Sequence, residues 1–359
     1  MWAMVVKEFR QLRRDRRTVA LLVFQPILML VVFGYAARFD VSEIPVNVVG
    51  PSAARVAAAL PEPFIVHAVD PAGGRPEAET ALRDADVPVA VVTSPTGAVV
   101  LLDGSELFVA QAARSALATL SEGLPQELAG RVNVDVLFNP DLETSAVMIP
   151  GLAAMILLFV GTVITSLGVV RERQAGTLEQ LAVMPIRPVD VFLGKIAPYF
   201  VLASIDMLIV VLAGMWLFGV PFNGSVPVFT LGAVLFLFVT LGMGVLISSV
   251  SQNQGQAIQL ALIALLPQVM LSGLIFPLSS MAASVRWIGY LLPLTYFVEI
   301  SRGVMVRGAS FGALAPSFLY LTLIGLVVFG LATLRFRRSL APAPHRRGAP
   351  HPAMEASSP

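Results

Sequence analysis

Several kinds of chemistry are excluded by what this chain of 359 residues lacks. Cysteine is absent, which excludes disulfide bridges, cysteine-ligated metal sites and thiol catalysis. The three histidines do not form an HExxH pattern, so we predict no metal site. The phosphate-binding pattern GxxxxGK[ST] is also absent, because Gly194-Lys195 has neither the upstream glycine nor a following Ser or Thr. This chain therefore cannot hydrolyse ATP by that route.

Charged residues are scarce. Asp, Glu, Lys and Arg make up 13 % of the chain, whereas ordinary soluble domains contain about 25 %. The formal net charge of +1 provides no broad basic surface, which argues against nucleic acid as a partner. Hydrophobic residues make up 56 % of the chain. This composition indicates that most of the chain lies in a lipid bilayer.

Six long apolar runs account for this excess. A membrane-spanning helix needs about 20 mostly apolar residues, and a barrel strand only about half as many. The longest uncharged run, from Met207 to Val285, is divided by turn-forming clusters at 221–227 and 248–256. The sequence therefore predicts an α-helical polytopic membrane protein with six transmembrane helices, near 18–37, 144–170, 192–219, 228–247, 257–276 and 308–334.

Basic residues are distributed unevenly between the two sides that these spans define. With the N-terminus in the cytoplasm, fifteen Lys and Arg residues lie inside, and the short outer loops hold only Arg286, Arg302 and Arg307. An excess of basic residues marks the cytoplasmic side of a membrane protein. We therefore predict that both termini are cytoplasmic and that the membrane is a bacterial inner membrane.

Residues 38–146 have a different character. They carry fifteen acidic and six basic residues, and segments typical of strands alternate with segments typical of helices. Their position between the first two spans predicts an inserted extracytoplasmic α/β domain, large enough for its own core. The strands are predicted at 44–50, 64–70, 87–93, 97–102 and 132–138.

Three further segments do not cross the membrane in this prediction. Residues 1–17 form an amphipathic helix with Lys and Arg opposite an apolar face, which is typical of a helix at the cytoplasmic interface. Residues 277–307 include a short aromatic-rich stretch broken at Pro293, and we predict a re-entrant or surface helix pair. Residues 339–359 are rich in Pro, Ala and Ser and are predicted to form a disordered cytoplasmic tail.

A few polar residues stand out near the membrane. Asp206 lies near the middle of the third span, where a carboxylate faces either a substrate pathway or a partner in helix packing. Gln268 and Ser272 in the fifth span offer polar groups to a pathway or to a neighbouring helix. Glu299 and Arg302 have the spacing of a local ion pair, which suits a structural clamp at the outer mouth.

No catalytic residue is predicted. The sequence Gly308-Ala-Ser-Phe-Gly312 matches GxSxG, but neither a preceding strand nor a histidine base accompanies it. We interpret it as a turn before the sixth span. Asp206 has no second intramembrane carboxylate with which to form a catalytic pair, so the chain is not expected to be an enzyme.

The cytoplasmic stretch from Arg171 to Pro185 is the most informative segment. A short helix from Thr177 would place Leu178 and Leu181 on one face, with charges beside them. Such an apolar face suits docking into a groove on a soluble partner. An ordinary loop lying on lipid headgroups is the alternative.

At this point the sequence resembles a family, the permease subunits of type-2 ABC exporters that have a large outer domain after the first span. Three stretches carry the resemblance: RERQAGTLEQLAVMPIRPVDVFLGKIAPY (171–199), SGLIFPLSSM (272–281) and LLPLTYFVEISRGVMVRG (291–308). Their order, the six spans and the inserted domain extend the likeness over nearly the whole chain. Members often carry Pro after the Met of the second stretch, whereas Ala282 follows Met281 here.

The resemblance implies a half-transporter that pairs with itself or with a sister permease and with two copies of a separate ABC ATPase. ATP and Mg²⁺ would be bound by that ATPase, and no cofactor is expected in this chain. A periplasmic adaptor and membrane lipid are further expected partners. The resemblance implies coupling to the ATPase by the segment containing Arg171, Glu172, Gly176, Thr177, Leu178, Glu179, Leu181 and Pro185.

Two other functions stay open. A secondary transporter would show paired intramembrane charges or inverted repeats. A non-transporting envelope scaffold would act through its outer domain and would need no coupling helix. The expected function remains ATP-driven export of a hydrophobic or amphipathic substrate.

Overall fold

The computed structural model describes residues 41, 43–95, 97–122, 132–175 and 188–340, with a few positions between 20 and 28. Three predictions therefore lie outside the described residues: the interfacial helix 1–17, most of the first span and nearly all of the tail. The described residues form two parts. We call residues 43–139 the sheet unit and residues 144–340 the bundle.

The sheet unit contains five strands, each within three residues of its predicted position. Apolar residues, mostly Val, bury the three central strands β1, β3 and β4 most deeply, whereas the edge strands β2 and β5 are more exposed. The strand order is β2-β1-β3-β4-β5, parallel except for the β3–β4 hairpin. The elements are β1 (Ile44–Val49), α1 (Ala53–Ala59), β2 (Phe64–Asp70), α2 (Arg75–Arg83), β3 (Val89–Ser94), β4 (Gly97–Asp103), α3 (Leu107–Glu122) and β5 (Val132–Leu137).

Helices cover both faces of this sheet. On one face Val46, Val91 and Val100 pack with α1 and α3. On the other face Val49 and Leu101 pack against α2. This three-layer arrangement gives the sheet unit its own hydrophobic core.

The bundle contains five helices that are long and apolar enough to cross a membrane, counted over the described residues alone. Their bounds agree with the second to sixth predicted spans to within a few residues. The helices are α4 (Thr144–Phe159), continued by a π-helical turn (Val160–Ile164) and α5 (Thr165–Gln174), then α6 (Pro188–Phe218), α7 (Val226–Val250), α8 (Gln254–Leu271), α9 (Ala283–Gly289), α10 (Pro293–Arg302), a second π-helical turn (Gly303–Arg307) and α11 (Phe311–Leu340).

Helix α7 forms the centre of the bundle, because small residues on it allow other helices to approach closely. A side chain at Gly244 would lie 2.8 Å from the carbonyl oxygen of Thr162 in the π-helical turn. On the N-terminal half of α7, Phe236 stacks on Phe297 of α10 at 4.4 Å between ring centroids. By contrast, α6 and α11 are mostly exposed.

The segment after α8 differs in one detail from the prediction. The fifth span is predicted near 257–276, which places Gly273 inside a helix. In the structure α8 ends at Leu271, and Gly273 has a φ of +82°, the left-handed conformation that glycine adopts just beyond a helix end. Pro267 lies inside α8.

The helix pair broken at Pro293 is present, as α9 and α10. Pro293 is the first residue of α10, where its missing N–H is not needed. Most of α10 is buried, and it packs among α4, α7, α8 and α11. α10 is therefore an internal element of the bundle, and the re-entrant or surface character of 277–307 stays a prediction.

Candidate functional site

A buried ionic contact joins the sheet unit to the bundle. Arg307, at the end of the second π-helical turn, lies 3.7 Å from the carboxylate of Asp103 at the end of β4. Both side chains are almost completely buried. Arg307 also donates a hydrogen bond of 3.0 Å to Glu299 on α10. One guanidinium therefore holds a carboxylate from each part, and we call this region the junction.

Local backbone structure explains the position of Arg307. Gly308 follows it in the left-handed conformation, at a φ of +66°, and ends the π-helical turn. Ser310 directly precedes α11, and its hydroxyl accepts a hydrogen bond from the amide of Ala313. The GxSxG match is thus a turn before the last span, as the sequence predicts. This turn directs Arg307 back towards the sheet unit.

The ionisable groups at the junction have pKa values shifted from their ordinary values. Burial raises the pKa of Asp103 above its ordinary value, although Arg307 and the amide of Ser105 favour the ionised form. Burial also raises the pKa of Glu106, with Arg302 acting in the opposite direction. Burial lowers the pKa of Arg307, but Glu299 and Asp103 outweigh it, so the net shift is upward. Arg307 therefore stays charged.

Arg302 has a different set of partners from those predicted. It does not pair with Glu299, whose carboxylate accepts from Arg307 instead. The guanidinium of Arg302 donates to three backbone carbonyls, those of Val147 (3.3 Å), Gly273 (3.2 Å) and Leu274 (2.9 Å). The local pair was wrong because carbonyls at the end of α8 need donors and attract a cation.

Arg302 thus bridges the beginning of α4 and the end of α8. Burial lowers its pKa, but a guanidinium is not deprotonated in proteins, so Arg302 keeps its charge. The side chain is buried, and each of its three nitrogens donates to a backbone carbonyl. A structural clamp stays the predicted role of Arg302.

Two adjoining cavities of about 200 Å³ each, with both polar and apolar residues in their walls, lie at the junction. Both are lined by Glu106, Ser279 and Glu299. The cavity on the bundle side also has Ser272, Arg302 and Arg307 in its wall, and the cavity on the sheet side has Glu43 and Asp103. The sheet unit therefore contributes only acidic charges to this space.

The three predicted pathway residues are not brought together. Ser272 lines the bundle-side cavity. Gln268 is fully buried, and its amide donates to the carbonyl of Ala264 and contacts the sulfur of Met243. Asp206 is half-buried on α6, and one of its carboxylate oxygens has no hydrogen-bond partner among the described residues. Neither Gln268 nor Asp206 lines the junction cavities.

At the opposite end of the bundle, a polar network joins α5 to α8. Arg171 donates to the side-chain oxygen of Gln254 at 3.5 Å, and Gln254 donates to Gln174 at 3.1 Å. Glu172 lies in the same last turn of α5. The other predicted coupling residues lie outside the described residues: Gly176, Thr177, Leu178, Glu179, Leu181 and Pro185.

Sequence reasoning missed Asp103, Glu106 and Arg307 as members of one site. In the sequence analysis Arg307 is only one of the basic residues of the short outer loops. Asp103 follows a predicted strand, and Glu106 lies at the start of a helical segment. One signal was available: Arg307 directly precedes the uncharged run of the last span, where a cation needs a partner. Among the described residues, no group of histidines and carboxylates has the arrangement of a metal site.

Comparison with known proteins decides the family. The family described as ABC-2 family transporter protein matches residues 16–334. This chain belongs to that family. The probable multidrug ABC transporter permease YbhS of Escherichia coli K12 is 30 % identical over 368 residues, which cover 94 % of this chain and 97 % of YbhS.

Two further relatives come from the same bacterium. The probable multidrug ABC transporter permease YbhR is 27 % identical over 95 % of this chain and 99 % of its own length. The inner membrane transport permease YhhJ is 36 % identical over 56 % of this chain and 54 % of its own length. The chain is the permease half of an ABC exporter, a multi-pass membrane protein, and coupling to ATP follows from the family.

Proposed function

We propose that this permease couples ATP hydrolysis by a separate ATPase to the outward movement of hydrophobic or amphipathic compounds. Two relatives of nearly full-length coverage are named probable multidrug permeases, which supports this class of substrate. The observation that carries the mechanism is the position of two polar networks at opposite ends of the same helices. One contains Arg171 and the other contains Arg302 and Arg307.

The proposal assigns a side of the membrane to each network. Arg171 and Arg335 follow spans that begin at the junction, so both lie at the end away from the sheet unit. Basic residues favour the cytoplasmic side. The sheet unit is then extracytoplasmic, and a first span at 18–37 gives six spans with both termini inside. A bacterial inner membrane fits this arrangement.

Within this proposal the segment from Arg171 to Pro185 receives the movement of the ATPase. Ser272 is the best placed of the pathway residues, because it lines the bundle-side cavity. Asp206 and Gln268 stay candidates inside the membrane, and Glu299 and Arg302 act as structural residues at the outer mouth. A second permease copy or a sister permease completes the transporter, and a periplasmic adaptor is a further partner.

Affinity purification in mild detergent tests the proposal. The wild-type permease should co-purify with a stoichiometric ATPase, identified by mass spectrometry, and the complex should hydrolyse ATP. The double variant Leu178→Asp/Leu181→Asp places two carboxylates on the predicted apolar docking face, so it should insert normally but lose the ATPase. Gln180→Asp makes the same kind of change between these positions and should retain the ATPase.

The alternatives give different outcomes. If no ATPase co-purifies even after cross-linking through residues 171–185, a secondary transporter or an envelope scaffold replaces the exporter. If the double variant keeps a full complement of active ATPase, the coupling assignment is wrong although the exporter assignment stands.

A further inference from the structure

The sheet unit contains an apolar cavity that is separate from the junction. Its volume is about 420 Å³, and it lies between the sheet and helices α1 and α3. Val89, Val91 and Val100 form its floor on β3 and β4, and Leu117 on α3 forms part of its roof. Along α3, Leu117 is about 16 Å from Glu106 at the junction, at 1.5 Å per residue.

A space of this size is unusual in a small α/β unit. Protein interiors are packed as densely as organic crystals, and voids larger than a water molecule are few. The volume falls within the range of about 300–1,000 Å³ that ligand sites occupy. Ordered water is a poor occupant, since each buried water needs two to four polar partners and these walls are almost entirely aliphatic.

The opening of the cavity lies along an edge of the sheet. β5 is an edge strand, and its residues Val132 and Val134 line the cavity although each is about 40 % exposed (37 % and 43 %). Exposed apolar side chains that continue into an apolar cavity are suited to a hydrocarbon chain entering from outside. Within the described part of the chain, the cavity is therefore reached from this edge without unfolding of the sheet.

A single charge lies in the lining, and it is positive. Arg114 on α3 is exposed and forms no ion pair with any described residue. This is unexpected in a segment where acidic residues outnumber basic residues by fifteen to six. A cation at the rim of an apolar cavity complements an anionic headgroup attached to a hydrocarbon tail.

We propose that this cavity binds a single-chain anionic amphiphile of the fatty-acid type, with its tail between β3, β4 and α3 and its carboxylate at Arg114. The volume, near the lower end of the range for ligand sites, suits one hydrocarbon chain and not two. Binding does not depend on transport. Only the further statement that such compounds are delivered to or received from the transport pathway rests on the proposed function.

Photolabelling of the full-length permease in nanodiscs tests the site. The probe is a palmitic acid analogue with a diazirine in its chain, and labelled residues are mapped by mass spectrometry. We expect saturable labelling within 89–120 that excess palmitate removes. The transmembrane helices, which contact the probe dissolved in lipid, should be labelled without saturation and provide an internal reference.

Variants separate the tail from the headgroup. Val91→Trp fills the cavity and Ala118→Trp blocks it from an exposed position on α3, so each should reduce labelling of 89–120 at least tenfold. Arg114→Glu should weaken competition by palmitate about tenfold and leave competition by the uncharged palmitoyl alcohol unchanged. Arg83→Glu, on α2 at the other face of the sheet, should behave like the wild type.

Several results would overturn the proposal. Labelling absent from the sheet unit, or undiminished in both tryptophan variants, means that the cavity holds no hydrocarbon chain and is filled in another way, for instance by residues 123–131 of the same chain. Equal competition by palmitate in Arg114→Glu and wild type removes the headgroup assignment. The photolabelling experiment needs no ATPase. A negative result would therefore leave the exporter proposal intact, and loss of the exporter proposal would leave the binding site intact.

Discussion

Arg302 shows how one side chain can hold two membrane helices together. Its donors reach carbonyls near the beginning of α4 and beyond the end of α8. A buried acceptor that loses its donor costs about 1–3 kcal/mol. Replacement therefore affects stability even though no carboxylate of the described residues forms an ion pair with this cation.

We predict that Arg302→Met lowers the stability of the permease by about 2–4 kcal/mol, because the carbonyls of Gly273 and Leu274 both lose a donor. Arg302→Lys should recover part of this loss, since an ammonium group cannot reach all three acceptors. Thermal unfolding followed by tryptophan fluorescence measures the change.

Arg286 supplies a matched control, because it also donates to two carbonyls, those of Ser279 and Met281, but at a more exposed position. Arg286→Met should cost clearly less than Arg302→Met. Equal losses would mean that burial of the clamp contributes nothing to the stability.

Glu106 gives the junction a pH dependence. Burial raises its pKa in the folded protein above the ordinary value of 4.5. A carboxyl group with a raised folded-state pKa stabilises the fold fully below its unfolded-state pKa, and this contribution is lost as the pH rises through the folded-state value. Asp103 acts in the same direction.

We predict that the wild-type permease unfolds at a lower temperature as the pH rises from about 4.5 towards neutrality, and that Glu106→Gln reduces this decline. The glutamine cannot ionise, so the variant should be at least as stable as the wild type at pH 7. Differential scanning fluorimetry across this pH range provides the measurement. Asp86→Asn, at an exposed turn, is the control and should follow the wild-type curve.

Elements were predicted more accurately than sites. Hydropathy places the described spans within a few residues of their bounds, and short runs rich in Val and other β-forming residues place the five strands. The end of α8 was predicted five residues late because Gly273 is flanked by apolar residues, so composition gave no sign of its left-handed backbone.

The junction could not be predicted for a different reason. Asp103 and Arg307 are far apart in sequence, and no pattern links them. The partners of Arg302 are backbone carbonyls. Because every residue has a carbonyl group, no sequence pattern identifies these partners. The prediction found Glu299 and Arg302 because their spacing is local, and spacing alone paired them wrongly.

At the scale of elements, we predict that the contact of α7 with the π-helical turn tolerates no larger side chain. Gly244→Val would place a methyl group against the carbonyl of Thr162 and should cost about 1–3 kcal/mol. Gly330→Val on α11 has no heavy atom within 4 Å and is the matched control. Thermal unfolding in detergent measures the unfolding temperature of both variants. Equal decreases in the two variants would contradict the prediction.

At the scale of the whole molecule, Arg307 connects the sheet unit to the bundle through its contacts with Asp103 and Glu299. Removing one partner of a buried ion pair costs about 3–5 kcal/mol, less where the remaining carboxyl takes up a proton. We predict that Arg307→Met leaves the fold of each part intact but loosens their contact. Trypsin should then cleave the sheet unit at least tenfold faster than in the wild type.

Tryptophan fluorescence provides the second half of this test. All three tryptophans lie outside residues 38–146, so their signal follows the membrane part alone. An unchanged fluorescence transition together with faster cleavage supports a loosened junction. If Arg307→Met also lowers the temperature of the fluorescence transition, Arg307 stabilises the bundle itself and the prediction is wrong.

Helix α8 has 18 residues and a length of about 27 Å, close to the apolar thickness of a bilayer. It is hydrogen-bonded to the second span near Arg171 at one end, and Arg302 ties it to the same span at the other. We expect these two ties to oppose sliding of α8 along the second span, so that a displacement of one helix carries the other helix with it. A movement that begins near Arg171 would then reach the membrane surface near Arg302 through both helices together.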